Sequence, residues 1–264
     1  MRISTVAFLN AAPLFWGLRK GRRPEGWYVS YDTPSVCARK LQAGRVDIGL
    51  VPSITLARNP ALRRAADLCV AARDEAASVL LFPGGAEERI GTVFLDPASR
   101  TSQVLAQILL EDRPGAPLRF EESAPAVEGL RPDEAALVIG DRALRLAHGW
   151  NGIKPIDLAH RWRERTGLPF VFAVWAGTDP GCREEAAPVL AESYRYGRDR
   201  HDEIVAAFEH DLPLPRPILH DYLGRILHYE LGEGEERSLD LFFREARERG
   251  LLNQSAGPEA GEGS

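Results

Sequence analysis

The sequence predicts an α/β protein of two lobes, with a ligand crevice where parallel strands end. Three observations carry this expectation. Residues 3–51 alternate strand-like and helix-like patterns and close on the nearly all-apolar run Val46–Val51, as a parallel strand buried on both faces requires. The pattern restarts after the stop at Pro83-Gly84-Gly85. Small polar groups, Asn10 and Ser53, follow the first strand and the Val46–Val51 strand, the place where open α/β sheets line their ligand sites.

Each element has a local reason. Ile3–Leu9 is β-rich and alternating, Pro13–Arg19 reads as a short helix, and Trp27–Tyr31 is an aromatic and β-branched strand. Thr33 and Pro34 supply an N-cap and a first helical residue, Val36, Ala38 and Leu41 an apolar face, and Gly44 the close. Ala76–Phe82 is a further apolar run. Arg89–Leu95 opens the second set as a strand, Asp96–Ser102 forms a loop and cap, and Gln103–Leu110 is a helix; Leu118–Glu121 and Ala135–Ile139 complete it. Asp157–Thr166 is a charged amphipathic helix closed by Gly167, and Leu168–Ala176 an apolar strand returning to the first lobe. Crossings near Leu81–Gly84 and Val174–Gly177 make a double hinge. Lobe 1 is then expected over 1–83 and 176–252, and lobe 2 over 84–175. From residue 180 the periodicity is helical throughout, over Glu184–Tyr196, Asp202–Phe208, Ile218–Leu227 and Glu235–Arg249. Residues 253–264, rich in Gly, Glu, Ala and Ser, read as a disordered tail.

Composition narrows the function. The 264 residues carry 33 Lys+Arg against 38 Asp+Glu, and a net charge of -5 offers no basic footprint for nucleic acid. No apolar run approaches the roughly 18 residues of a membrane span. The first strand starts so early that a secretory signal has no room ahead of it, so a cytoplasmic protein is expected. Cys37, Cys69 and Cys182 are odd in number and far apart, the pattern of buried reduced thiols. The six histidines form no HExxH-type pair, and Gly84-Gly85-Ala86 and Gly232-Glu233-Gly234 are too short to cradle phosphates. No metal and no cofactor are expected, and no long exposed apolar face indicates an oligomeric state.

Taken alone, the candidate residues have two readings each. Asn10 after a strand is an Asx turn or a ligand-facing amide. Ser53, and the pair Thr101-Ser102 ahead of a helix, are caps or anion donors. Asp141 after Gly140 caps the following helix or sits near the pocket, and Arg100 in a strand-to-helix loop is structural or neutralises a ligand. Trp162 and Trp175 read as core aromatics.

Six stretches then act together: VAFLNAAPL at 6–14, GRVDIGLVPS at 44–53, SVLLF at 78–82, RTSQVLAQILL at 100–110, LVIGDRAL at 137–144 and DLAHRWRERTGLPFVFAVW at 157–175. In this order they resemble the chorismate dehydratases of the menaquinone pathway. The resemblance implies a periplasmic-binding-protein type II fold, two α/β lobes joined by a double crossover hinge, serving as a cytoplasmic enzyme of the futalosine route. A sister enzyme of the route makes 1,4-dihydroxy-6-naphthoate and carries a histidine before an acid at the position of Gly140-Asp141, which favours the dehydratase. The implied reaction converts chorismate to 3-[(1-carboxyvinyl)oxy]benzoate as a hydro-lyase without a cofactor. It also implies Asn10 and Ser78 as catalytic groups, with Ser53, Thr101, Ser102, Gly140 and Asp141 as substrate contacts. An amide is a poor general base, and the sequence leaves the proton acceptor open: if no titratable side chain lies at the proton, the substrate's own side-chain carboxylate can accept it, held by Asn10 and Ser78. The competing class is a non-catalytic binding protein for an anionic metabolite, since the implied fold is shared with transport receptors.

Overall fold

The computed structural model describes residues 1–111, 117–179 and 181–253, so the expected tail lies outside the described residues save for Asn253. Strand β1 (Arg2–Val6) leads through a 3-10 turn at Leu9–Ala11 into helix α1 (Ala12–Arg19), strand β2 (Tyr28–Asp32), helix α2 (Pro34–Gln42) and strand β3 (Ile48–Pro52). β1 pairs in parallel with both β2 and β3, so the three strands end on one side. Every position of β3 is buried, as its apolar run requires. Helix α2 begins at Pro34 and buries Cys37, Ala38 and Leu41; Cys37 takes the inward place expected of Val36.

Helix α3 (Ile54–Arg58) is followed by a strand without a strong local signal, β4 (Arg63–Ala72). Its sequence, Arg-Arg-Ala-Ala-Asp-Leu-Cys-Val-Ala-Ala, has one β-branched residue, and pairing on both edges makes it a strand. The chain then crosses to a second sheet through β5 (Val79–Pro83), β6 (Thr92–Leu95), helix α4 (Arg100–Glu111), β7 (Arg119–Glu122), β8 (Glu134–Ile139), helix α5 (Gly140–His148) and the two-residue β9 (Ile156–Asp157). The order in this sheet is β7-β6-β8-β5-β9. Helix α6 (Leu158–Thr166) has Asp157 as its N-cap, accepting from the Ala159 and His160 N–H groups, and closes at Gly167 with φ 71°.

Strand β10 (Phe170–Gly177) returns to the first sheet between β3 and β4, antiparallel to both. Next come α7 (Gly181–Arg198), α8 (His201–Phe208), α9 (Arg216–Asp221), a π turn at Tyr222–Ile226, strand β11 (Leu227–Glu230) and α10 (Glu233–Glu248). The first sheet thus reads β11-β4-β10-β3-β1-β2.

Strand pairing moves the lobe boundaries expected from the sequence. β5, expected in lobe 1, pairs with β8 and β9 in the second sheet; residues up to Trp175, expected in lobe 2, lie within β10 of the first. Both strands are continuous apolar runs, and periodicity gives such a run no preference for one sheet over another. The C-terminal part is likewise not wholly helical, because Leu227–Glu230 forms β11 along β4.

Helices α1 and α7 meet at backbone distance. A Cβ on Gly17 would lie 2.5 Å from Ser193 Cα, and one on Gly197 2.3 Å from the Pro13 carbonyl oxygen. Ser193 joins the pair by donating to Leu14 O at 2.8 Å and accepting from Leu18 N–H at 3.1 Å. Trp162 and Trp175 are fully buried, the first edge-on to Phe170 and Phe242.

Candidate active site

A cleft lined by residues of both sheets lies between them. The first sheet contributes Val6 at the end of β1, Phe8 and Asn10 beyond it, and Pro52 at the end of β3. Across the cleft stand Ser78 ahead of β5, Ile139 and Gly140 at the end of β8, and Ser99 and Ser102 at the start of α4. The parallel strands of both sheets therefore point their carboxyl ends at the same space.

Asn10 sits in the 3-10 turn, and its amide oxygen is buried without a hydrogen-bond partner in the protein. A buried, unpaired acceptor costs about 1–3 kcal/mol, so the site holds it at the expense of stability.

Ser78 is set by its surroundings. The residue before it, Ala77, has φ 58°, a left-handed conformation that L-residues rarely adopt. Asp157 holds that turn by accepting from Ala76 N–H at 2.9 Å and Ala77 N–H at 2.7 Å through the oxygen not used to cap α6. Burial pushes the Asp157 carboxyl above the ordinary carboxylate range, against these backbone donors. The Ser78 carbonyl accepts from Gly140 N–H at 2.8 Å, and its Oγ accepts from the Tyr222 hydroxyl at 2.7 Å.

The other serines are arranged similarly. Ser99 precedes α4 and accepts from Ser102 N–H at 3.2 Å, the bond of an N-cap residue. Its hydroxyl donates to Ser102 Oγ at 2.7 Å. The helix is therefore capped by Ser99 and not by Thr101-Ser102, which leaves the Ser102 proton available to a guest.

Three expected contacts stand elsewhere. Ser53 is fully buried, donates to Val171 O at 2.8 Å and lies 3.4 Å from Thr101 Oγ1, which accepts from Ile54 N–H at 3.3 Å. Ser53 and Thr101 thus join the start of α3 to the start of α4 behind the cleft wall. Asp141 neither lines the cleft nor caps α5, whose N-cap is Ile139 without a side-chain bond. Both its carboxylate oxygens accept from Leu9 N–H, at 3.1 and 3.2 Å. The first-sheet segment carrying Asn10 is thereby clasped to the helix after β8. Arg100 faces Glu122 at 3.5 Å.

The clasp has a pH signature. Burial pushes the Asp141 carboxyl up to about 6, against the pull of Leu9 N–H and Arg145. A carboxyl raised on folding binds its proton more tightly in the native state, so stability is full below about pH 4 and is lost as pH rises through about 6. Asp141→Asn keeps an acceptor for Leu9 without the charge. Its melting temperature should match the wild type near pH 4 and exceed it by pH 7, a difference on the order of 2 kcal/mol for a partly exposed group. A difference independent of pH would overturn this account.

Ser99 and Tyr222 escape the sequence reading for different reasons. Ser99 carried a legible signal, a serine one residue before a helix, and was outweighed by the Thr-Ser pair after it. Tyr222 comes from a segment 144 residues away that reads only as helix. None of the lining residues named above is ionisable, and among the described residues no group of three His, Cys, Asp or Glu side chains comes together to hold a metal. The wall can orient an anion through neutral hydroxyl and amide groups.

Two sheets, between which the chain passes twice, around an interlobe cleft define a class, the periplasmic-binding-protein-like fold. The chain superposes on a crystal structure from Archaeoglobus fulgidus with TM-score 0.76 and 16% identity, covering 95% of this chain and 97% of that one. On the periplasmic aliphatic sulphonate binding protein SsuA of Escherichia coli the TM-score is 0.65 at 15% identity, over 96% and 94% of the two chains. Within this class, residues 1–248 match the family model for menaquinone biosynthesis, and the chain belongs to that family. It is similar to the chorismate dehydratase of Thermus thermophilus, 32% identical over 256 residues, or 89% of this chain and 91% of that protein. No helix among the described residues is long and apolar enough to cross a membrane.

Proposed function

We propose that the protein dehydrates chorismate to 3-[(1-carboxyvinyl)oxy]benzoate, a hydro-lyase step of the futalosine route to menaquinone. The observation that carries this reading, beside the family, is a cleft walled by oriented neutral donors from both lobes. Chorismate brings two carboxylates to be held and a hydroxyl to be lost. The reaction needs its ring fixed while one C–H and one C–O bond break, and aromatisation supplies the driving force.

The proton leaves the ring carbon bearing the enolpyruvyl ether. The electron pair released is delocalised toward the ring carboxylate, the ring C–O bond breaks, and the departing hydroxide takes up the proton that the substrate's side-chain carboxylate received from the ring, leaving as water. The substrate's side-chain carboxylate is the acceptor in this reading because none of the lining residues named above is ionisable. Asn10 and Ser78 hold that carboxylate over the ring, while the Ser102 hydroxyl donates to the second carboxylate. Three buried free thiols, Cys37, Cys69 and Cys182, support a reducing, cytoplasmic setting.

The test is incubation of the purified protein with chorismate, following the aromatic product by chromatography and mass. Catalytic turnover to the enolpyruvyl benzoate is expected. Binding without turnover would replace the enzyme by a receptor, and neither binding nor turnover would point to the sister enzyme's substrate.

A further inference from the structure

Tyr222 does not line the cleft, yet its hydroxyl ends on a residue that does. The side chain is fully buried, and its O–H meets Ser78 Oγ at 2.7 Å. A phenol is a stronger acid than an aliphatic alcohol, so in a bond between the two the tyrosine donates and the serine accepts. Burial keeps the phenol neutral and so keeps it a donor.

A serine hydroxyl has one proton to give. With a lone pair of Ser78 Oγ engaged from behind by Tyr222, its proton is committed to the cleft side. The backbone is fixed as well, by Asp157 through Ala76 and Ala77 and by Gly140 on the Ser78 carbonyl. The Ser99 to Ser102 bond repeats the arrangement on the neighbouring wall. In both pairs one hydroxyl spends its proton on the next, and the accepting hydroxyl, Ser78 or Ser102, keeps its own proton for an anion in the cleft.

We propose that Tyr222 is a positioning residue: delivered by the C-terminal π turn, it orients the Ser78 hydroxyl to donate to the ligand's carboxylate in the cleft. This rests on the dehydratase reading and deepens it, because it assigns the C-terminal segment a part in the site. A hydroxyl aimed in advance holds the carboxylate over the ring proton it is to receive, so loss of that aim costs turnover through misplacement more than it costs binding.

The experiment is a double-mutant cycle on the full chain with chorismate: wild type, Tyr222→Phe, Ser78→Ala and the double variant, each with kcat, KM and a melting curve. Tyr222→Phe is expected to lower kcat about tenfold with KM within about twofold, and to have no further effect in the Ser78→Ala background. An active wild type with Tyr222→Phe within twofold of it, or with equal tenfold losses in both backgrounds, would overturn the role of Tyr222 and leave the dehydratase reading standing. A wild type that binds chorismate without turning it over, or ignores it, would overturn the dehydratase reading and this inference with it. Should Tyr222→Phe not fold, Ser78→Ala decides: wild-type kcat there leaves Tyr222 nothing to position and overturns the proposal, and a loss of about a hundredfold supports it.

Discussion

Asn10→Ala is expected to lower kcat on chorismate by about 10²–10³-fold while leaving the fold as stable as the wild type or more so. The first half follows from position. Asn10 lies beyond the end of β1, where its amide meets the cleft, and removing one preorganised polar group from a site that handles developing charge costs that much in comparable sites. The second half follows from the missing partner. Its amide oxygen is buried without a hydrogen bond, so deleting the amide removes a desolvation penalty of about 1–3 kcal/mol and breaks no bond that the oxygen makes in the protein. The paired result, lost turnover with an unchanged or raised melting temperature, is the trade expected of a functional group held against the interest of the fold. A large loss of stability would make the amide structural, and retained turnover would remove it from the mechanism.

The same contrast explains what the sequence disclosed. The β-α-β-α-β opening and the Asp157–Gly167 helix were legible because each depends on local signals: a strand end, a cap, a closing glycine. Asn10 and Ser102, by contrast, carry two readings each, and the placing of Asn10, Ser78, Ser102 and Gly140 at a site comes from the family resemblance. Ser53, Thr101 and Asp141 belong to equally legible phrases, yet local sequence does not say whether a hydroxyl or carboxylate at a strand end faces the cleft or the wall behind it. In each case a backbone partner from a distant segment decided: Val171 O for Ser53, Ile54 N–H for Thr101 and Leu9 N–H for Asp141. Strand β4 and Tyr222 were illegible for the same reason. An alanine-rich run becomes a strand only with β10 and β11 on its flanks, and a tyrosine in a helical stretch joins the site only because the π turn brings its hydroxyl to Ser78.

Gly140→Ala should damage both fold and turnover, and the two causes can be separated. Gly140 has φ 63°, and a Cβ there would stand 2.9 Å from Phe8 Cδ2. The left-handed backbone alone costs an alanine about 1–2 kcal/mol, and the crowded ring adds a further cost of about 1–3 kcal/mol typical of overpacking. Gly44 supplies the control: its φ is 65°, but a Cβ there meets nothing within 4 Å. Gly44→Ala should therefore show the backbone cost with full activity, and Gly140→Ala a larger drop in melting temperature. Activity should part the two further. Phe8 begins the Phe8-Leu9-Asn10 segment that Asp141 clasps, so a displaced ring shifts the Asn10 amide, and a shift near 1 Å is enough to cost about 10² in kcat/KM. Adding Phe8→Leu to Gly140→Ala relieves the ring contact and should recover part of the stability without restoring the backbone term. Should Gly140→Ala match Gly44→Ala in both melting temperature and turnover, the Phe8 contact would carry no weight, and the Asp141–Leu9 bond would be what fixes the Phe8–Asn10 segment against the start of α5.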